Sequence, residues 1–313
     1  MKIVFMDQDY RLNVYGGEQI VAPLGEFGEI ECHSDLPCSQ EEMYERARDA
    51  QVIFIKINQP GRDLIERLTK LKFIQFIGIG YSNYLDVPHC ESLGIKVRGI
   101  GEYGSNSVAE FALGLIISAV RGISAADRRI KNGVWNLDGM LGRELSQTTV
   151  GVIGTGAVGK LTARKLSLLG ARVTACDICP DKELSDGFGV EYTDIKTLMK
   201  ESDVVSVHLK YTPETEGLIS RELLHLMKEG AYFINTARAQ IVDYAALEEL
   251  LRSGRLAGAA IDVHYGEPPA DRGLVELDSV IATPHMAYYT KTANTNMLRL
   301  SVESVLDYLR SGR

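Results

Sequence analysis

The segment from Val150 to Asp177 constrains this chain more than any other. It opens as Val150-Gly151-Val152-Ile153-Gly154-Thr155-Gly156-Ala157-Val158-Gly159-Lys160, continues as a helix-like stretch, and closes on Ala171-Arg172-Val173-Thr174-Ala175-Cys176-Asp177. A β-forming run, a glycine-rich turn, a helix, a second strand and a terminal acid follow in that order. Each piece has a task if a dinucleotide binds. Gly154 makes the tight turn, Gly156 lets the backbone approach a pyrophosphate, and Gly159 lets helix and strand pack closely. Ala157 and Val158 open the helix, whose free N–H groups and positive dipole end face the phosphates. Asp177 lies 21 residues after Gly156, where a carboxylate accepts hydrogen bonds from an adenosine ribose. The same charge repels a 2′-phosphate, which favours NAD over NADP. Glycines kept only for packing would give the same turn, so the flanking strand, helix and acid carry the argument. FAD uses the same fingerprint, usually near an N-terminus, whereas here it opens in mid-chain.

The rest of the chain fits a globular protein of two domains. Its 313 residues allow two cores of ordinary size, with 45% hydrophobic and 24% charged residues. The longest apolar run, Val108 to Val120, is interrupted by Glu110 and too short to span a membrane. Met1-Lys2-Ile3-Val4-Phe5-Met6-Asp7 reads as a first strand rather than a signal peptide, so a cytoplasmic location is expected. A net charge of −8 argues against a nucleic-acid partner. Five cysteines make no disulfide framework, and Cys176 and Cys179, although a C-x-x-C pair, have no second pair to complete a zinc site. No metal is expected.

Before residue 104 short apolar runs alternate with amphipathic stretches. Strands are expected at 3–6, 29–33, 52–55, 73–77 and 95–98, with helices at 40–50, 62–71 and 87–93. A long helical pattern follows from Asn106 to Asn132. A second βα series begins at Thr149, with strands at 150–153, 172–176, 204–209, 231–235, 257–262 and 280–282. This alternation implies α/β architecture with parallel sheets wrapped by helices. The last helix, Thr292 to Arg310, lies outside the second series and is expected to return to the first domain. The expected organisation is therefore a discontinuous domain of residues 1–103 and 286–313 and a Rossmann domain of residues 104–285.

A nicotinamide enzyme needs one group to hold substrate and another to move a proton, and such groups gather beyond the carboxyl ends of strands. Arg238 follows Ala231-Tyr232-Phe233-Ile234-Asn235-Thr236-Ala237, Glu267 follows the strand ending at Asp262, and His285 follows Val280-Ile281-Ala282-Thr283-Pro284. Taken singly, each reads as well as a surface cation, a turn acid and a helix cap. Together, beyond one sheet edge, they read as a site.

These residues resemble the D-isomer-specific 2-hydroxyacid dehydrogenase family. The likeness rests on Asn235-Thr236-Ala237-Arg238-Ala239-Gln240-Ile241-Val242-Asp243, Ala260-Ile261-Asp262-Val263 with Glu267-Pro268, and Thr283-Pro284-His285. Ser107-Val108-Ala109-Glu110, the glycine loop and Ser206-Val207-His208-Leu209 extend it. Ala239 and Lys210 depart from the family's usual glycine and proline. The resemblance implies two Rossmann-like or flavodoxin-like domains with the active site in the cleft between them. It also implies hydride transfer between NADH and a small 2-oxo acid to give a D-2-hydroxy acid. Arg238 would hold the substrate carboxylate, a pairing that its planar fork suits and lysine does not. His285 would donate the proton, and Glu267 would bond the other ring nitrogen. Glutamate there separates the chain from the formate dehydrogenase branch, which has glutamine.

Around this triad the resemblance places substrate contacts at Ile79 and Gly80, Tyr103 and Tyr288. It places cofactor contacts at Leu209, Thr215, Thr236, Ala237, Asp262 and His285. The Ala287-Tyr288-Tyr289-Thr290 pattern points to the D-lactate and D-2-hydroxyisocaproate branch. Glyoxylate or hydroxypyruvate reduction and phosphoglycerate oxidation are the alternatives. A phosphorylated substrate calls for extra cations, which Tyr81 to Asp86 lacks, and for the usual C-terminal regulatory domain. A dinucleotide-sensing corepressor of the same fold is the binding-module alternative, disfavoured by the short termini. His208, His225 and His264 read as packing or surface residues. The resemblance further implies a homodimer, with the apolar helix Val108–Val120 as a contributor.

Overall fold

The structure is a computed structural model and describes residues 1–7 and 9–311. The chain forms two compact units, Met1–Gly104 with the segment from Tyr289 onward, and Ser105–Tyr288.

The first unit is built on five parallel strands, β1 (Lys2–Phe5), β2 (Glu29–Cys32), β3 (Val52–Ile55), β4 (Phe73–Phe76) and β5 (Lys96–Arg98), in the order β2-β1-β3-β4-β5. Every residue of β3 and β4 is buried, as expected for central strands covered on both faces. That explains why β3 reads as an unbroken apolar run and β4 as one broken only by the buried Gln75. Asp7, just past β1, accepts hydrogen bonds from the amides of Lys56, Ile57 and Asn58 at 2.9, 2.8 and 2.8 Å. One carboxylate thus fixes the exit of β3. Helix Lys291–Arg310 returns to this unit, capped by the Thr290 hydroxyl accepting from the Ala293 amide at 3.1 Å. It buries Met297, Leu298, Val302 and Val305 and sets Tyr308 against Phe73 at 4.3 Å between rings.

The second unit carries β6 (Thr149–Ile153), β7 (Arg172–Cys176), β8 (Glu191–Tyr192), β9 (Val204–Val207), β10 (Tyr232–Asn235), β11 (Gly258–Ile261) and β12 (Val280–Ala282). All are parallel, in the order β12-β11-β10-β9-β6-β7-β8. The direction of succession reverses between β6 and β9, the point where open α/β sheets receive ligands. Seven strands are present rather than the expected six. The extra one, β8, is a two-residue edge strand paired to β7 through Thr174 and Glu191, too short for any period to show in sequence. The expected helix from Asn106 to Asn132 is two helices, Ser105–Arg121 and Ile123–Lys131, bent by 66°. Gly122 between them takes a left-handed φ of 64°, open to glycine at little cost. Helix Ala157–Leu168 buries Gly159, Thr162, Ala163 and Leu166, the i, i+3, i+4, i+7 face of an amphipathic helix. Among the described residues no single helix is long and apolar enough to cross a membrane.

Candidate active site

The glycine loop follows β6, and its three glycines differ in what requires them. Gly154 has φ of 89°, and a Cβ there would lie 2.9 Å from Leu209 Cδ2 and 3.0 Å from the His208 carbonyl. A Cβ on Gly159 would fall 1.8 Å from the Gly154 carbonyl oxygen, so the helix could not seat. At Gly156 a Cβ would meet no described atom within 4 Å. Its glycine has no packing cause inside the unit and leaves backbone open towards a ligand. Gly156 is also the N-cap of helix Ala157–Leu168 with no side-chain cap bond, so first-turn amides remain for an anion. Asp177 ends the second strand with both oxygens held, accepting from the Thr155 amide at 2.6 Å and the Cys179 amide at 2.8 Å. Thr236, buried just after β10, has a hydroxyl with no partner among the described residues. An uncapped helix end, an open glycine and an orphaned buried hydroxyl fit a dinucleotide.

Two further expected contacts shape this region. Leu209 packs against the glycine turn, and Thr215 donates to the Lys210 carbonyl at 2.7 Å while accepting from the Thr212 amide at 2.8 Å. Lys210, the departure from proline, thereby sits in a closed loop. Ala239, the other departure, is 1% exposed in a single turn of 3-10 helix. His208 bonds Ser206 through Nε2 at 2.8 Å.

Arg238, Glu267 and His285 emerge beyond the carboxyl ends of β10, β11 and β12, three adjacent strands. Asn235 pins the first turn, accepting from the Ala237 amide at 2.9 Å and donating to the Arg238 carbonyl at 3.1 Å. It also donates to Tyr244 Oη at 2.9 Å, and that phenol donates to the Val263 carbonyl at 2.9 Å. One tyrosine therefore ties the Arg238 turn to the exit of β11. Burial holds its phenol well above the usual range, with the Asn235 bond opposing, so it serves as a fixed donor.

His285 Nδ1 lies 2.7 Å from Glu267 Oε2. Burial alone would raise the Glu267 carboxyl, but the hydrogen bond and charge of His285, aided by the His264 amide, hold it below the ordinary carboxylate range. The two side chains are half-exposed. His285 has a left-handed φ of 49°, which is strained for a residue with a Cβ. Asp262 offsets that strain. Fully buried, it accepts from the Thr283 hydroxyl at 2.6 Å and from the amides of Met286 and Ala287 at 2.9 and 2.8 Å, on both sides of His285. Sequence places Asp262 near the nicotinamide carboxamide or ribose; the structure adds three bonds that it accepts from the loop carrying the histidine. A buried acid at a strand end gives no sequence signal that separates the two roles. The Tyr288 ring stands edge-on to His285, with centroids 6.1 Å apart.

In the first unit Ile79, half-exposed, and Gly80 follow β4, while the Tyr103 carbonyl accepts from Asn296 Nδ2 at 3.3 Å. Lys56 lies past the end of β3, with no motif around it to mark it in sequence. Burial pushes its ammonium down to about 8, with Asp7 opposing.

Residues 113–287 match the sequence profile of the D-isomer specific 2-hydroxyacid dehydrogenase NAD-binding domain. The chain belongs to this family. A D-3-phosphoglycerate dehydrogenase of Methanocaldococcus jannaschii is 36% identical over 295 residues, 94% of this chain and 56% of that protein. The chain thus spans about half the length of that relative. A hydroxypyruvate reductase of Thermotoga maritima is 39% identical over 78% of each chain. Among solved structures, the D-lactate dehydrogenase of Escherichia coli superposes with a TM-score of 0.85 at 30% identity, covering 100% of this chain and 98% of the other. The two parallel-sheet domains are those of such two-domain dehydrogenases.

Proposed function

We propose that the protein reduces a small 2-oxo acid to the D-2-hydroxy acid with NADH. The observation that carries this reading is the 2.7 Å pairing of Glu267 with His285 Nδ1, beside the strand that delivers Arg238. With Nδ1 engaged, Nε2 is the ring nitrogen left to serve the substrate. In reduction His285 gives its Nε2 proton to the oxygen at C2, and in oxidation it takes that proton back. Glu267 stays ionised and holds the ring in one orientation. Arg238 grips the substrate carboxylate with its planar fork and polarises the C2 oxygen. A bound nicotinamide would supply or accept the hydride, held by the amides after Gly156 and by Asp177, Leu209, Thr215, Thr236 and Ala237. The fixed carboxylate of Asp177 disfavours a 2′-phosphate and so NADP.

Tyr288, edge-on to His285, would wall the side chain of a small 2-oxo acid such as pyruvate. The relatives named as glyoxylate reductase and hydroxypyruvate reductase favour a second reading, with glyoxylate or hydroxypyruvate as substrate. NADH oxidation measured with pyruvate, 2-oxoisocaproate, glyoxylate, hydroxypyruvate and phenylpyruvate, with NADPH as control, decides between them. Turnover of none of these would refute the proposal.

A homodimer forms through the segment after Ile123–Lys131 in this account. Of the stretch Val108–Val120, expected to contribute, Ala109, Ala112, Leu115, Ile116, Ala119 and Val120 are buried within their own unit. Trp135, Leu137 and Leu141 are instead 89%, 87% and 99% exposed, a run of large apolar side chains that a second copy would cover.

A further inference from the structure

His264, which reads from sequence as a packing or surface residue, stands at the exit of β11, three residues before Glu267. It bonds to both loops of the proton-transfer pair. Its backbone N–H donates to Glu267 Oε1 at 3.2 Å, and its Nε2 lies 2.9 Å from the Thr283 carbonyl oxygen. A carbonyl only accepts, so Nε2 carries a proton and donates. Thr283 precedes His285 by two residues, with Pro284 between them. Proline fixes its own φ, so a shift of the Thr283 carbonyl passes into the placement of His285. The other polar groups of Thr283 are also engaged, its amide with the Ile261 carbonyl at 3.0 Å and its hydroxyl with Asp262 at 2.6 Å.

We propose that His264 is a positioning residue that sets the spacing of Glu267 and His285 by bonding one loop through its backbone and the other through its ring. This rests on the reading of Glu267 and His285 as the proton-transfer pair. His264 itself touches neither the hydride-transfer atoms nor the proton in flight. A residue present only to fill space needs no N–H at this position, and phenylalanine would serve equally. Glutamine, whose amide nitrogen reaches about as far as Nε2, would replace the donor without replacing the ring.

The test compares the wild-type chain with H264F and H264Q. The first readout uses the protein alone, the long-range ¹H–¹⁵N spectrum of the His285 ring, in which an Nδ1 proton bonded to Glu267 shifts downfield and exchanges slowly. The second is kcat and KM for the 2-oxo acid that the wild type turns over fastest. H264F should lose the slow Nδ1 proton and lower kcat between about three- and tenfold, the size of one lost hydrogen bond, with KM nearly unchanged. H264Q should restore both. An H264F protein with the wild-type His285 signal and kcat overturns the proposal, as does an H264Q protein as impaired as H264F. If the spectra follow the expected pattern while the wild type turns over no 2-oxo acid, the positioning stands and the assigned reaction fails.

Discussion

Replacing Asp262 with alanine tests how the catalytic loop is held. The carboxylate accepts three bonds, of which that from the Ala287 amide is buried and those from the Thr283 hydroxyl and Met286 amide are partly exposed. The buried amide bears the full cost of lost pairing, about 1–3 kcal/mol, while the two others turn to water at about 0.5–1 kcal/mol each. The loop should therefore lose about 3 kcal/mol. Its left-handed residue, His285 at φ 49°, releases about 1–2 kcal/mol on relaxing to the right-handed region, so relaxation is the expected response. At about 1.4 kcal/mol per tenfold, the conformation that pairs His285 with Glu267 falls about 10²-fold in population, and kcat falls with it. Amide hydrogen exchange at Met286 and Ala287, read beside kcat, gives the answer. Wild-type protection of the Ala287 amide with kcat within threefold would refute the reasoning.

Three further outcomes follow from the site. In E267Q the low-pH limb of the reduction profile should be lost. Against the push of burial, the His285 hydrogen bond and charge hold the Glu267 carboxyl below its ordinary range, so pairing fails as pH falls through that lowered value in the wild type. Glutamine has no carboxyl to protonate; a low-pH limb unchanged from wild type would contradict this. In D177A the ratio of kcat/KM for NADPH to that for NADH should rise by about tenfold or more as a fixed like charge is removed, and an unchanged ratio would mean another residue sets the preference. Leu141→Asp, placing a charge in the exposed apolar run, should convert a sedimenting dimer to monomer while each monomer stays folded by circular dichroism, and an unaltered sedimentation coefficient would dismiss that surface.

Much of the architecture was legible because parallel strands buried on both faces read as apolar runs. The strand Val52 to Ile55 could be placed to the residue, and that at Val204 to Val207 at its start, with its end expected two residues later. The glycine loop was legible because Gly154 and Gly159 are each fixed by a contact that a Cβ would break. Arg238, Glu267 and His285 were legible as a group because each follows a strand of one series. The rest had no local signature. Two residues of β8 cannot display a period. The bend at Gly122 was masked by an apolar pattern that continues across it. Asp262 and His264 act through bonds to residues 283 to 287, about twenty positions away, and nothing in their neighbours records those partners. Tyr244, which links the Arg238 turn to β11, is hidden for the same reason.

The most direct test of the account is NADH-dependent reduction of a 2-oxo acid by H285A, with NADH binding followed separately by fluorescence. The imidazole paired to Glu267 is assigned the proton, so kcat should fall on the order of 10²–10⁴-fold with NADH affinity within a few-fold of wild type. Turnover near the wild-type rate in that variant would take His285 out of the mechanism.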